Sequence, residues 1–200
     1  RENEHGLFQV HAYQFDDTRS TFIVECDEQS WLNAGLDKAS EAESIAYCEK
    51  LFADDLEGAK LIGNKSSWIT FRQLVCESWR HENVVIVGDA AHTAHFSIGS
   101  GTKLAMESVI VLVEALKKHP DDIGKALDTY WDDRWLDVAK LQRAAKVSRE
   151  WFEDIGRYAK MHPQQFTASL LSRSKRVTHE NLRMRDPGYI ERFDRWFAAQ

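Results

Sequence analysis

The chain has 200 residues, a hydrophobic fraction of 43% and a formal net charge of −6. This length can bury a core and form one or two domains, and the negative charge argues against a nucleic-acid partner. No apolar run approaches the roughly 20 residues of a membrane span, and no signal-peptide pattern opens the chain. The three cysteines are scattered and include no Cys-x-x-Cys pair, so they favour a reducing cytoplasm over a zinc site or a disulfide framework.

The first third of the chain has the pattern of a sheet with covering helices. Alternating residues over 7–15 and β-branched residues over 21–26 predict two strands, and the polar run 16–20 between them predicts a hairpin turn. The other predicted elements of this third are helices over 28–36 and 41–53 and one or two strands over 68–79.

The most informative stretch begins with the apolar run 84–87, which Gly88 and Asp89 follow. The run has no polar alternation, so it predicts a strand buried on both faces, as in a parallel sheet. A glycine-bearing loop comes next, and a helix begins near 101–103. Ligands of open α/β sheets bind beyond the carboxyl ends of the strands. A carboxylate and a helix N-terminus are therefore predicted to meet where a polyhydroxylated, partly anionic cofactor needs both.

Three glycines shape this predicted edge. Gly88 has no side chain, so a ligand can approach the backbone there. Gly99 and Gly101 allow the loop to take positive φ, and they add no side chains that would project from its surface. The pattern is not a dinucleotide-binding fingerprint, because Leu104 stands where the third glycine would be.

The last half of the chain reads as helical. The first of these helices carries an apolar stripe at helical spacing and is predicted to be largely buried; the stripe consists of Met106, Val109, Ile110, Val113 and Leu116. A long amphipathic helix or a broken pair is predicted up to about residue 160, followed by a helix over 164–173 and a final helix after Pro187 and Gly188.

Residues 84–107 together resemble the second flavin-binding motif of the group A flavoprotein aromatic hydroxylases. The sequence of residues 92–103 is similar to that of one subgroup, the hydroxylases of aryl-CoA thioesters such as salicylyl-CoA and 2-aminobenzoyl-CoA. The tryptophan and indole hydroxylases have the next most similar sequence in this loop. Residues 11–13, 22–26 and 177–182 also fit, so the resemblance extends over nearly the whole chain.

The resemblance implies an α+β or α/β chain that forms the C-terminal part of an FAD/NAD(P)-binding fold like that of p-hydroxybenzoate hydroxylase. Residues 1–82 would belong to the substrate-covering sheet and its helices, residues 83–118 to the returning FAD-binding segment, and residues 119–200 to a helical C-terminal region. The family's Gly-x-Gly-x-x-Gly motif and its middle Asp-Gly motif are missing from these residues. We therefore expect the C-terminal half of a larger hydroxylase, inactive by itself.

The implied cofactor is FAD, with NADH or NADPH as the reductant. Asp89 would bind the ribityl or neighbouring sugar hydroxyls, and the backbone N–H groups of Thr102 and Lys103 would face the flavin N1–C2=O region. The full set of cofactor-binding candidates is Gly88, Asp89, Ala90, Gly99, Ser100, Gly101, Thr102 and Lys103. In this family O2 adds at flavin C4a, and the hydroperoxide hydroxylates an electron-rich ring.

Four residues are candidates for the wall of the substrate pocket, and none is assigned as a catalytic base. His11 and Tyr13 share the strand face that the family would turn toward the substrate, although an ordinary half-buried sheet face competes with that interpretation. Phe96 and Ile98 would form an apolar wall beside the ring, with packing inside the loop as the alternative.

Two further patterns favour ordinary roles. His92 and His95 form a His-x-x-His, but no acid or thiol at a useful spacing completes a metal site, so loop packing or a pocket wall is favoured. The C-terminal segment is basic, and its cations could bind the phosphates of CoA, although a solvated charged face is the simpler interpretation. The basic segment contains Arg173, Lys175, Arg176, Arg183 and Arg185.

Three functions stay open at this point. The first is part of an FAD-dependent aryl-CoA monooxygenase, the second a non-catalytic remnant or interaction module, and the third a hydroxylase of a free indole or phenol. Residues 194–197 also resemble the junction that precedes a fused, old yellow enzyme-like reductase barrel in the aryl-CoA subgroup.

Overall fold

The computed structural model describes residues 1–200, which divide into two compact units, Arg1–Thr70 and Phe71–Gln200. No helix combines the length and the apolar character that crossing a membrane requires. The division falls after Thr70 because residues 72–75 bond to later residues of the second unit, Thr93 and Gln142. The three-segment assignment made from the sequence concerns a larger fold and stays a prediction.

The first unit is a three-stranded antiparallel sheet with three helices. Its elements are β1 (Glu2–Asn3), β2 (Gly6–Gln14), β3 (Ser20–Cys26), α1 (Glu28–Asn33), α2 (Glu41–Leu51) and α3 (Ala53–Leu56). The predicted hairpin and both predicted helices are confirmed. In the register of β2 with β3, His11 pairs with Ile23.

The two faces of this sheet differ, as the alternation of β2 requires. One face carries Phe8 and Val10, which pack with Phe22 and with Phe52 that follows α2. The opposite face carries His11, which is half-buried, and Tyr13, which is exposed.

The second unit is mostly helical. Its elements are β4 (Arg80–His81), β5 (Val84–Val85), the 3₁₀ turns Gly88–Ala90 and Phe96–Ile98, α4 (Gly101–Lys118), α5 (Ile123–Glu153), α6 (Ile155–Tyr158), α7 (Pro163–Ser172), α8 (His179–Arg185) and α9 (Pro187–Ala198). The core lies where the turns meet α4 and α5; it contains Trp79, Ala91, Leu104, Ala115, Tyr130 and Val138. Helices α5 and α6 form the broken pair that the sequence predicted as an alternative to one helix: α5 ends at Glu153 and α6 ends at Tyr158, near the predicted limit of about residue 160.

The strands predicted over 68–79 are wrong. This segment makes only an isolated bridge, between Val75 and His92. Its backbone groups find side-chain partners instead: the Leu74 N–H donates to Thr93 Oγ1 over 2.7 Å, and Gln142 Nε2 donates to the Leu74 carbonyl over 2.8 Å. A β-propensity run whose backbone is satisfied in this way needs no neighbouring strand.

The buried parallel strand predicted over 84–87 is also wrong. Only β5 forms, it pairs antiparallel with β4, and Val84 is 62% exposed. The apolar run 84–87 suits a strand that is buried on both faces. The chain does not supply this burial, because no parallel strand pairs with β5.

The predicted burial of the α4 stripe is wrong for four of its residues. Met106 is 62% exposed and Ile110 57% exposed, with Val109 and Val113 also exposed. Helix α4 instead turns Leu104, Ser108 and Ala115 inward. Spacing alone identifies an apolar face but does not say what covers it. Helix α4 thus has a second apolar face, which we call the outer face of α4 and which consists of Met106, Val109, Ile110 and Val113.

Candidate cofactor-binding site

The turn Gly88–Ala90 packs directly on the first turns of α4. Gly88 has φ +60°, and a Cβ added there would lie 3.2 Å from the Ala105 Cβ. Glycine is therefore required by the backbone conformation and by the close approach of α4. The sequence predicted that a ligand approaches the backbone at Gly88, whereas in the structure α4 makes this approach. The contact sets the turn that contains Asp89 and Ala90 next to the helix.

The carboxylate of Asp89 has no hydrogen-bond or ion-pair partner within the chain, and the residue is exposed. A free carboxylate accepts hydrogen bonds from hydroxyl groups. Asp89 lies one residue after the glycine that contacts α4, in a turn that packs on this helix, and it is exposed rather than in the core.

The N-terminus of α4 has no side-chain cap. Ser100 occupies the N-cap position, but its hydroxyl donates to the Ile98 carbonyl over 3.1 Å instead of accepting from the helix. The other helices of more than four residues are all capped by a side chain, namely that of Asp27, Ser40, Asp122, His162, Thr178 or Asp186. The first amides of α4 therefore remain available to an acceptor from outside the helix.

The space in front of these amides is open. Gly99 has φ +59°, as predicted, and a Cβ added at Gly99 or Gly101 would meet no atom within 4 Å. Thr102 and Lys103 are exposed, and Lys103 forms an ion pair with Glu107 one turn later. An uncapped helix behind an open glycine loop is a ready-made site for an anionic or carbonyl group.

The first turn of α4 is fixed from behind by a buried polar network. Arg134 of α5 donates to the Leu104 carbonyl over 3.0 Å, to Ser108 Oγ over 3.2 Å and to a Glu107 carboxylate oxygen over 2.9 Å. Arg134 is only 5% exposed. The network was not predicted, because Arg134 lies in a helix with many charges and no sequence signal distinguishes it.

His92 completes this network. Its Nε2 lies 3.1 Å from Ser108 Oγ, whose own proton goes to the Leu104 carbonyl over 2.9 Å. The hydroxyl therefore accepts from His92, which assigns the proton to Nε2 and leaves Nδ1 as a buried acceptor without a partner. Burial lowers the pKa of His92, the nearby Arg134 cation acts in the same direction, and Asp89 opposes it.

The two histidines of the His-x-x-His pattern have different surroundings. The His92 ring lies in the core against Trp79, with centroids 5.1 Å apart, whereas the His95 ring stacks on Phe96 with centroids 4.5 Å apart. His95 Nδ1 also accepts the Ser97 N–H over 3.3 Å. Both rings therefore take part in packing and local bonding of the loop.

The pocket candidates belong to both units. In the second unit Phe96 is 39% exposed, whereas Ile98 packs against the core, as in the alternative interpretation. In the first unit His11 Nε2 lies 2.8 Å from a Glu25 carboxylate oxygen on the neighbouring strand, and Tyr13 is exposed. Sequence reasoning missed Glu25, although strand register brings it diagonally across from His11.

The basic segment separates into residues with different roles. Arg173 is held by backbone and hydroxyl oxygens, so its placement on a solvated face is wrong. Arg183 pairs with Glu180 and Asp194. The exposed cations that remain are Lys175, Arg176 and Arg185.

The exposed acid, the open glycine loop and the uncapped helix all lie within the part of the chain that matches a family of flavin-binding domains. Residues 2–145 match the family described as FAD binding domain. The chain belongs to this family and, within it, to the group A aromatic monooxygenases.

Several curated relatives support this assignment. Salicyloyl-CoA 5-hydroxylase of a Streptomyces species is 41% identical over 98% of this chain and 40% of its own length. The 3-hydroxy-4-methyl-anthranilyl-[aryl-carrier protein] 5-monooxygenase of Streptosporangium sibiricum is 39% identical over 76% of this chain and 39% of its own length. Protodeoxyviolaceinate monooxygenase of Chromobacterium violaceum is 36% identical over 86% of this chain and 46% of its own length. The chain thus spans less than half the length of these relatives.

Proposed function

We propose that this chain is the C-terminal part of a longer FAD-dependent monooxygenase that hydroxylates an aromatic ring carried as an acyl thioester. The observation that carries the proposal is the uncapped N-terminus of α4, a helix contacted by the turn that carries the unpartnered carboxylate of Asp89. The same elements fall within the stretch that matches the FAD-binding family.

The residues present fit a flavin. In this proposal Asp89 accepts hydrogen bonds from the ribityl hydroxyls, and the amides of Thr102 and Lys103 donate to the N1–C2=O edge of the ring. The N-terminal dipole of α4 favours the negative charge that a reduced flavin carries at that edge. FAD, when bound, supplies the redox chemistry with O2, and NADH or NADPH supplies the electrons. The role of Gly99 and Gly101 is to leave room for the ring.

The protein's own contribution is to bind, to orient and to exclude water. Phe96 of the loop is 39% exposed, and in this proposal its ring contacts the aromatic substrate. No base from the protein is required where the substrate already carries an activating hydroxyl or amino group. We also propose a cytoplasmic location. We expect, in addition, that an old yellow enzyme-like reductase is fused to the full-length protein or associates with it.

A thioester substrate is favoured by two relatives whose names specify a CoA or an aryl-carrier-protein conjugate. The runner-up is a free indole or phenol, because the third relative acts on a compound whose name specifies no thioester carrier. Oxidation of NADH or NADPH by the full-length protein decides between them. Stimulation by an aryl-CoA thioester but not by the corresponding free acid supports the proposal, and the reverse pattern supports the runner-up.

An FAD titration of the full-length protein tests the cofactor site. Asp89→Ala removes a charge-assisted hydrogen bond, which is worth about 1.5–3 kcal/mol, so the affinity should fall about 10-fold to 150-fold. Asp121→Ala, at an exposed acid between α4 and α5, is the control and should leave the affinity unchanged. Unchanged affinity in Asp89→Ala removes this residue from the site. Absence of FAD binding by the full-length protein instead supports the interaction module.

A further inference from the structure

Arg173, which follows α7, connects three segments that are far apart in the sequence. Its Nη2 donates to the Ser97 carbonyl over 2.6 Å, and its Nε donates to Ser148 Oγ over 3.0 Å. Its Nη1 donates to the Leu170 carbonyl over 2.7 Å. Ser97 Oγ in turn lies 2.9 Å from Ser148 Oγ, so Ser97 is held through its backbone and its side chain.

The guanidinium of Arg173 has no carboxylate partner. Arg134 has Glu107 and Arg183 has Glu180, whereas Arg173 is surrounded by carbonyl and hydroxyl oxygens and lies over the Phe152 ring, 5.0 Å from its centroid. Burial accordingly lowers the pKa of Arg173. A cation is costly in such surroundings unless its donors are used. One Arg173 hydrogen bond goes to the Ser97 carbonyl, and a second goes to Ser148, which the Ser97 hydroxyl also contacts.

Ser97 lies in the 3₁₀ turn Phe96–Ile98, immediately before the open glycine loop. The local bonds of this turn include that of the Gly99 N–H to the Phe96 carbonyl, at 2.8 Å, and that of the Ser97 N–H to His95 Nδ1, at 3.3 Å. A three-residue turn of this kind has little stability of its own. Ser97 and Ser148 are both buried, so the turn takes its position from α5 and from Arg173.

We propose that Arg173 is a positioning residue for the flavin site. By holding Ser97 it fixes the turn that presents Phe96 and leads through Gly99 to the first amides of α4. Arg134 holds the other end of the same stretch through the Leu104 carbonyl. This inference rests on the proposed function, because it assigns the turn to the wall beside a bound flavin. It also removes Arg173 from the cations available to CoA phosphates.

The test compares Arg173→Met with Arg173→Lys in the full-length protein. We expect Arg173→Met to change the visible spectrum of bound FAD and to lower the fraction of NAD(P)H oxidation that yields hydroxylated product. A drop of about tenfold in kcat is expected, because misplacement by about 1 Å can cost up to about 100-fold. Arg173→Lys can still reach one acceptor, so it should restore part of both signals. These readouts are taken well below the unfolding temperature of each variant, so that a general loss of stability does not produce them.

Two other variants sharpen the test. Lys160→Met removes the same charge from an exposed position between α6 and α7 and should leave the spectrum and the coupling unchanged. Ser148→Ala removes the hydroxyl that Arg173 and Ser97 share and should shift both signals in the same direction by a smaller amount. The effects of Ser148→Ala and Arg173→Met should also be less than additive, because the residues act as one network.

Three results overturn the inference. The first is a folded Arg173→Met protein with the wild-type flavin spectrum and coupling. The second is an equal effect of Lys160→Met. The third is a change confined to KM for a CoA thioester, with none for an aryl substrate that lacks phosphates, since this indicates phosphate recognition. The wild-type titration is read first: if the wild-type protein binds no FAD, the proposed function itself fails and takes this inference with it.

Discussion

The guanidinium of Arg134 and the carbonyl oxygen of Leu104 are 3.0 Å apart, and this bond joins the middle of α5 to the first turn of α4. Ser108 adds a second contact and Glu107 a third, so three acceptors hold the buried cation. The amides at the front of α4 are free of side-chain caps. The helix is therefore fixed from behind and left open in front, which is the arrangement that a ligand-binding helix terminus needs.

Replacing Arg134 with Met should lower the free energy of unfolding of the chain by about 1–3 kcal/mol, because it removes buried hydrogen bonds of a charged group, while Glu107 is partly exposed and keeps Lys103 as a partner. The substitution leaves the Leu104 carbonyl and Ser108 short of a donor. Arg143→Met, an exposed arginine on the same helix, is the matched control and should change stability by less than about 0.5 kcal/mol. Urea denaturation measures both. Equal midpoints for the two variants would show that the network contributes little.

Local patterns sufficed for the elements that bury their own faces. The alternation of β2 and the turn after it predicted the hairpin, and helical spacing predicted α2, α5 and α7, because each of these signals lies within a short stretch of chain. The glycine loop and the start of α4 were also predicted correctly, since Gly99 and Gly101 mark them.

Features that depend on a partner were not predictable in this way. The outer face of α4 and the run 84–87 are apolar, but the sequence does not say which neighbour covers them. Arg173 and Arg176 look alike in a basic segment, and only the tertiary structure shows that Arg173 bonds to Ser97 while Arg176 is exposed. The missing cap of α4 was equally hidden, because Ser100 is a residue type that usually caps a helix.

Stability should depend on pH through His92. Burial lowers the pKa of His92 in the folded state, so the unfolded chain binds the proton more tightly. The contribution of neutral His92 is complete above its unfolded pKa of about 6.5 and is lost as the pH falls through the folded pKa. In urea titrations from pH 7 to pH 5, His92→Gln should flatten the fall in stability, because Gln keeps a donor for Ser108 and does not titrate. His81→Gln, at an exposed histidine, should keep the wild-type slope; a wild-type slope in His92→Gln would contradict the assignment.

Gly88→Ala should destabilise the chain more than Gly99→Ala. Both glycines have φ near +60°, so each substitution carries a similar backbone strain of about 1 kcal/mol. Only at Gly88 does the added methyl group meet a neighbour, the Ala105 Cβ at 3.2 Å. The difference between the two free energies of unfolding therefore isolates the packing of the turn on α4, and equal values would show that α4 yields to the methyl group at no cost.

The outer face of α4 should behave differently in the 200-residue chain and in the longer protein proposed here. Ile110 is 57% exposed in the chain, so Ile110→Ser should change its free energy of unfolding by less than about 0.5 kcal/mol. Leu104→Ala, on the inner face of the same helix, should cost about 2–5 kcal/mol. In the full-length protein we expect Ile110→Ser also to cost more than about 1 kcal/mol, because burying an isoleucine side chain contributes about 1.5–3 kcal/mol. Thermal and urea unfolding of both forms give the comparison. An Ile110→Ser variant that is neutral in both forms would show that this face is exposed in the whole protein as well, and that the rest of the protein does not pack on it.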